Sequence, residues 1–185
     1  MPHGQAPWSD GSTVTVSGVD NGVDAPSDAT TFVSLTLSSG DSVYDVLTIT
    51  DVTVTSVDDD TTGVTQSALA ATVDEDGGTE TMIFVLDSEP TSTVSVAIGV
   101  DDASVLSLTP TSVTFTSITW SDAAVVTFTG AADAVDTTTD ATAVVSFDFS
   151  SDDGVFHLID TPDVTVTSTD NDVAGTTQSE TAIIV

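Results

Sequence analysis

The strongest constraint on what this chain can fold into is a duplication within it. The segment WSDGSTVTVSG beginning at Trp8 returns as WSDAAVVTFTG beginning at Trp120, an offset of 120 − 8 = 112. Sliding the chain by 112 lays Trp8–Val73 on Trp120–Val185 without a gap, and 31 of those 66 pairs are identical. A repeat of this length folds as one structural unit, and roughly 100 residues is the size of a single β-sandwich domain. The expected division is residues 1–60 as the back part of one unit behind a short arm, 61–172 as a complete unit, and 173–185 as the opening strand of the next.

Within the unit, Val and Thr dominate and apolar residues alternate with polar ones, as in VTVTSV at Val52–Val57 and SVTFTS at Ser112–Ser117. That period of two belongs to strands with one face buried. Strands are expected over Gln66–Val73, Thr79–Leu86, Thr93–Val100, Ser104–Leu108, Ser112–Thr116, Ala124–Gly130, Ala141–Ser150 and Pro162–Thr169, with no helical period anywhere. Short strands broken by Gly, Pro, Asp and Ser predict an all-β fold of antiparallel immunoglobulin-like sandwiches in tandem. MIFVL at Met82–Leu86 is apolar on both faces and reads as a central strand. Trp8 and Trp120 are expected to be core residues rather than a sugar-stacking platform.

The chain has 30 acidic residues and neither lysine nor arginine, for a formal charge of −30. With charged residues at about a quarter of positions in ordinary proteins, such an absence would arise by chance less than roughly once in a million. Nucleic acid and anionic membrane surfaces need positive patches that this chain lacks, so neither is an expected partner. Solvent cations must answer the charge, which points to bound divalent ions or to high salt, and to an extracellular or cell-surface setting. Hydrophobic residues make up 39% and mean hydropathy is +0.24, so the chain has apolar surface enough to fold. It has no cysteine, which leaves metal as the leading staple. No apolar run approaches the roughly 18 residues of a membrane span, and MPHGQAP at the start is unlike a signal peptide. His3 and His157 are the only histidines, and His157 aligns with Asp45 in the other copy, so no catalytic base belongs to the repeat and no enzymatic activity is expected.

The acidic residues gather at inferred strand ends: Asp74, Glu75 and Asp76; Asp101 and Asp102; Asp133, Asp136 and Asp140; Asp170 and Asp172. Loops from alternate strand ends meet at one pole of a sandwich, and calcium accepts six to eight oxygen ligands in flexible geometry. Asp87, Asp122, Asp148 and Asp160 read instead as turn formers and solvated surface. Asp58, Asp59 and Asp60 fall where one unit passes to the next, so an ion held by Asp58 and Asp60 would stiffen the junction.

These marks, VTVTSVDDD and VTVTSTDND, TVDEDGGT, TMIFVLDSEPTSTVSVAI and the acidic loop after VTFTSITWSDAAVVTFTG, resemble the Calx-beta family and related immunoglobulin-like repeats of giant bacterial surface proteins. The resemblance implies a calcium-binding pole built from Glu75, Asp101 or Asp102, Asp133, Asp136, Asp140, Asp170 and Asp172, with Asn171 in place of a central aspartate. The expected function is a calcium-stiffened spacer in a surface adhesin or matrix filament. Its expected partners are neighbouring repeat units and other copies of the chain, joined by strand exchange through Ala182–Val185. A calcium-dependent carbohydrate-binding module and a halophile surface-layer tile are the alternatives.

Overall fold

The computed structural model describes residues 11–177, so Trp8, His3 and Ala182–Val185 lie outside the described residues. These fall into two compact units, one of residues 11–22 and 26–58 and the other of residues 23–25 and 59–177.

The larger unit is the all-β sandwich. It contains β3 (Val64–Gln66), β4 (Ala70–Asp74), β5 (Thr79–Leu86), β6 (Val94–Val100), β7 (Leu106–Thr109), β8 (Ser112–Phe115), β9 (Ala124–Gly130), β10 (Ala141–Ser151) and β11 (Val164–Thr169). One sheet runs β4-β11-β10-β6-β8 and the other β3-β5-β9-β7. Alternation decides which side chains go inward. In β6 Val94, Val96 and Ile98 are buried while Ser95, Ala97 and Gly99 are exposed. In β9 Val126, Phe128 and Gly130 are buried on the same period of two.

Between the sheets Phe84 packs edge-on against Phe115 and Phe147, with ring centroids 5.6 and 5.7 Å apart. Trp120 is half-buried against this core, as expected. Every buried apolar residue among the described ones belongs to this unit.

The expected antiparallel sandwich is present, with one parallel strand pair in it. The run read as one strand over Gln66–Val73 is two, interrupted at Ser67–Leu69. Its first half pairs with β5, while its second half crosses to the other sheet and lies parallel to β11. All other strand pairs are antiparallel, and a first strand divided between both sheets fits an immunoglobulin-like sandwich. MIFVL is central, between β3 and β9, but its outer face is not buried, because Ile83 is exposed.

The smaller unit has β1 (Ala29–Val33) and β2 (Val52–Ser56), paired antiparallel. Its details are those of the large unit displaced by 112. The register Ala29↔Ser56 repeats as Ala141↔Ser168. Val43 N–H donates to the Asp41 carboxylate at 2.9 Å, as Val155 N–H does to Asp153 at 3.1 Å. Asp41 N–H donates to Ser39 at 3.1 Å, as Asp153 N–H does to Ser151 at 3.0 Å. The duplication in the sequence is thus a duplication of hydrogen-bond geometry.

Candidate functional site

Three connections meet at one pole of the sandwich: the β4–β5 turn, the β9–β10 loop and the segment after β11. Two glycines bring them together. Gly77, at φ 93°, turns the chain after Glu75 and Asp76 in a conformation side chains resist. Gly130 ends β9 directly against the Asp74 carbonyl, where a Cβ would overlap the backbone. The turn is closed by Gly78 N–H donating to Asp74 O and Gly130 N–H donating to Gly78 O, both at 3.0 Å. Glu75 N–H donates to Thr169 O at 3.2 Å, which ties the turn to the end of β11.

This framework places carboxylate oxygens of Glu75, Asp133 and Asp172 within 4.8 Å of one another. Glu75 and Asp172 are half-buried and Asp133 is exposed. Asp172 Oδ2 is buried and receives no hydrogen bond. The carboxyls of Glu75 and Asp172 could share a hydrogen bond only if one of them took up a proton. Partial burial holds the Glu75 carboxyl above its ordinary range, and the neighbouring charges of Asp170 and Asp133 push it further the same way, against an opposing N–H bond from Asn171.

The other expected ligands have different occupations. Asp170 accepts from Thr137 N–H at 2.5 Å and from Asp172 N–H at 3.0 Å, and these donors hold its carboxyl below the usual range. Asp136 accepts from Ala174 N–H at 2.6 Å, and Asp140 from Asp170 N–H at 3.3 Å. These three are struts that fix the loops. Asp101 accepts from Val144 N–H at 2.7 Å, at the end of β6. Asp102 closes its own turn onto Ser104 N–H and hydroxyl at 2.9 and 2.6 Å. Neither joins the three-carboxylate group. Asp58 belongs to the smaller unit, where its N–H donates to Asp28 at 3.2 Å, and Asp60 belongs to the larger.

The struts recur in the other copy. Asp58 N–H to Asp28 is the equivalent of Asp170 N–H to Asp140, and Thr62 N–H to Asp24 at 2.7 Å is the equivalent of Ala174 N–H to Asp136. The Asp133 position is Asn21 there, so the strut geometry is common to both copies while the ligand set is not.

The donor set at the pole is all oxygen, partly desolvated and without a positive side chain to balance it. Those properties suit a hard cation bound through oxygen. Nothing at the pole resembles a nucleophile paired with a base. No helix among the described residues is long and apolar enough to cross a membrane.

No family model matches the chain, and no curated protein matches it. Among solved structures it is similar to SSP-19, an MSP-domain protein-like family member of Caenorhabditis elegans, at 16% identity and TM-score 0.42, covering 57% of this chain and 99% of that one. It is also similar to WR4, a C. elegans MSP family member, at 8% identity and TM-score 0.40, covering 57% and 97%. A third similar structure is the Escherichia coli chaperone DraB, at 8% identity and TM-score 0.44, covering 62% and 58%.

Proposed function

We propose that this chain is a structural element of an extracellular surface protein or matrix filament, a Calx-beta-like repeat stiffened by calcium at the pole of its sandwich. The observation that carries the reading is the meeting of Glu75, Asp133 and Asp172 around a buried, unpartnered Asp172 oxygen in a chain without one Lys or Arg. No side chain of the protein can neutralise that group except by protonation. A cation from solvent relieves the repulsion and supplies the missing partner at once.

Glu75, Asp133 and Asp172 would hold the ion, with Asp136, Asp140 and Asp170 keeping the loops in place. The bound ion would pin the β4–β5 turn, the β9–β10 loop and the segment leaving β11 to one another. Since that segment leads to the next stretch of chain, stiffening it sets the angle at which a following unit departs. The function is therefore mechanical, with reach and rigidity as its outputs, and other copies or neighbouring units as its partners.

Calorimetric titration with calcium at fixed ionic strength tests this directly. Binding is expected for the parent chain and is expected to be lost in Glu75→Gln and in Asp172→Asn. Equal heats from the parent and both variants would remove the pole from consideration. Titration with sodium or potassium in place of calcium addresses the salt-dependent tile, which would respond to the monovalent ions as well. Glycan-array binding that is lost on changing Trp120, which is half-buried against the core, would favour the carbohydrate-binding alternative.

A further inference from the structure

Asparagine is scarce in this chain. Asn21 and Asn171 are the only two, and the duplication gives them different surroundings. Asn21 stands where the complete unit has Asp133, and the residue after it is Gly22 where the complete unit has Ala134. In the complete unit that aspartate belongs to the three-carboxylate group and accepts from Val135 N–H at 2.7 Å. At the same place in its own loop the smaller unit carries an amide, followed by the residue that leaves it most open to attack by the backbone.

We propose that Asn21 and Gly22 form a self-modification site, at which the chain converts its own asparagine to aspartate and isoaspartate with water as the only co-reactant. The Gly22 backbone nitrogen attacks Asn21 Cγ and the new N–Cγ bond closes a succinimide ring. The Cγ–Nδ2 bond breaks, and ammonia leaves with the proton that the Gly22 nitrogen gives up. Water then adds to one of the two ring carbonyls. Opening at Cγ leaves an ordinary aspartate, whereas opening at the main-chain carbonyl leaves isoaspartate, with the backbone running through Cβ. The sum is amide plus water to carboxylate plus ammonium, with no change of oxidation state.

Local structure favours each step. The attacking nitrogen must swing onto its neighbour's side chain, which requires a backbone that strand pairing does not hold. Residues 11–28 contain no strand or helix, and Asn21 is exposed to the water that opens the ring. Glycine supplies the remaining freedom, since without a Cβ it neither shields its own nitrogen nor restricts the torsions through which the ring closes. Alanine at the equivalent position of the complete unit restores both obstacles, and there the carboxylate is already present.

Asn171 is the internal comparison. The nucleophile in its case is the backbone nitrogen of Asp172, whose N–H donates to Asp170 Oδ1 at 3.0 Å. The N–H of Asn171 itself donates to Glu75 at 3.4 Å, so both peptide groups are fixed in the framework of the pole. The residue that follows is a half-buried aspartate rather than glycine. The same side chain is thus reactive in one copy and protected in the other. The product at position 21 bears an additional negative charge where the complete unit already has one, so the two copies grow more alike with age. None of this requires an ion at the pole, and a chain that binds no calcium tests it equally well.

Incubation of the 185-residue chain at mildly alkaline pH, followed by mass spectrometry of peptic peptides and assay of released ammonia, tests the proposal. The peptide containing Asn21 is expected to gain the mass difference between an amide and an acid, with ammonia released in step. Gly22→Val and Asn21→Gln are each expected to lose that product over the same incubation. Asn171 is expected to stay intact in the folded chain and to react faster once urea removes the fold. Asp–Gly pairs such as Asp76 and Gly77 pass through the same ring without ammonia release or net change of mass, so the readout is specific to the amides. An Asn21 peptide of unchanged mass, a Gly22→Val chain that reacts at the parent rate, or an Asn171 that reacts before Asn21 overturns the proposal. An Asn171 rate that is the same folded and unfolded overturns the protection assigned to the Asp172 bond.

Discussion

Asp153 is the carboxylate whose removal has the most calculable effect. Only 6% exposed, it accepts from Thr91 N–H at 2.7 Å, Thr91 hydroxyl at 2.8 Å and Val155 N–H at 3.1 Å. Burial pushes its carboxyl up, but these donors outweigh it and hold the group below its ordinary range. The bonds tie the β5–β6 loop to the turn that inserts Phe156, 1% exposed, into the core. Asp153→Ala leaves three donors without that acceptor, each worth about 1–3 kcal/mol if water cannot replace it. Allowing partial rehydration of the loop, a loss of about 3 kcal/mol is expected, or about 10 °C in Tm for a domain of this size. Urea denaturation followed by tryptophan fluorescence and by circular dichroism provides the assay. Because the folded pKa is depressed, this stabilisation is present above the ordinary aspartate value and is lost as pH falls through the folded one, so the gap between the parent and Asp153→Asn should close in acid. A difference within about 0.5 kcal/mol at neutral pH would refute the reasoning.

The pole makes its own predictions. Glu75 has a raised folded pKa, so its ionisation opposes folding above that pKa and the penalty is relieved as pH falls through it; without calcium, Glu75→Gln should melt higher than the parent at neutral pH and lose this advantage in acid. Calcium competes with the proton there, so potentiometry should detect proton release when calcium is added at mildly acidic pH, and none in Glu75→Gln. Gly130→Ala places a methyl group against the Asp74 backbone, and both stability and calcium binding should fall together, as measured by melting and titration on the same sample.

What the sequence made legible follows from how local each signal is. β5 and β9 have the expected bounds because their alternation is continuous and turn residues flank them. The split of the first strand was hidden because QSALAATV has an unbroken polar and apolar rhythm, and only pairing with β11 draws its second half to the other sheet. Glu75, Asp133 and Asp172 could be named but not separated from Asp101, Asp102, Asp136, Asp140 and Asp170. All are acidic residues at strand ends, and only three-dimensional placement distinguishes a convergent oxygen from one bonded to a loop N–H. Asp153 was missed as a buried anchor because SSDDGVF reads as an ordinary solvated turn. A signal was nevertheless present: Ser39 and Asp41 match Ser151 and Asp153 in the alignment of the two copies, and the structure gives both pairs the same bond.

Completion of the acidic pole by a divalent cation is what would link this fold to its proposed mechanical role. Thermal melting of the chain at fixed ionic strength, with calcium and then with chelator, measures that most directly. Free calcium at one hundred times its dissociation constant should stabilise the folded state by about 2.7 kcal/mol, raising the midpoint with concentration, and chelator should reverse the rise. A midpoint that follows monovalent salt and is indifferent to both calcium and chelator would contradict it.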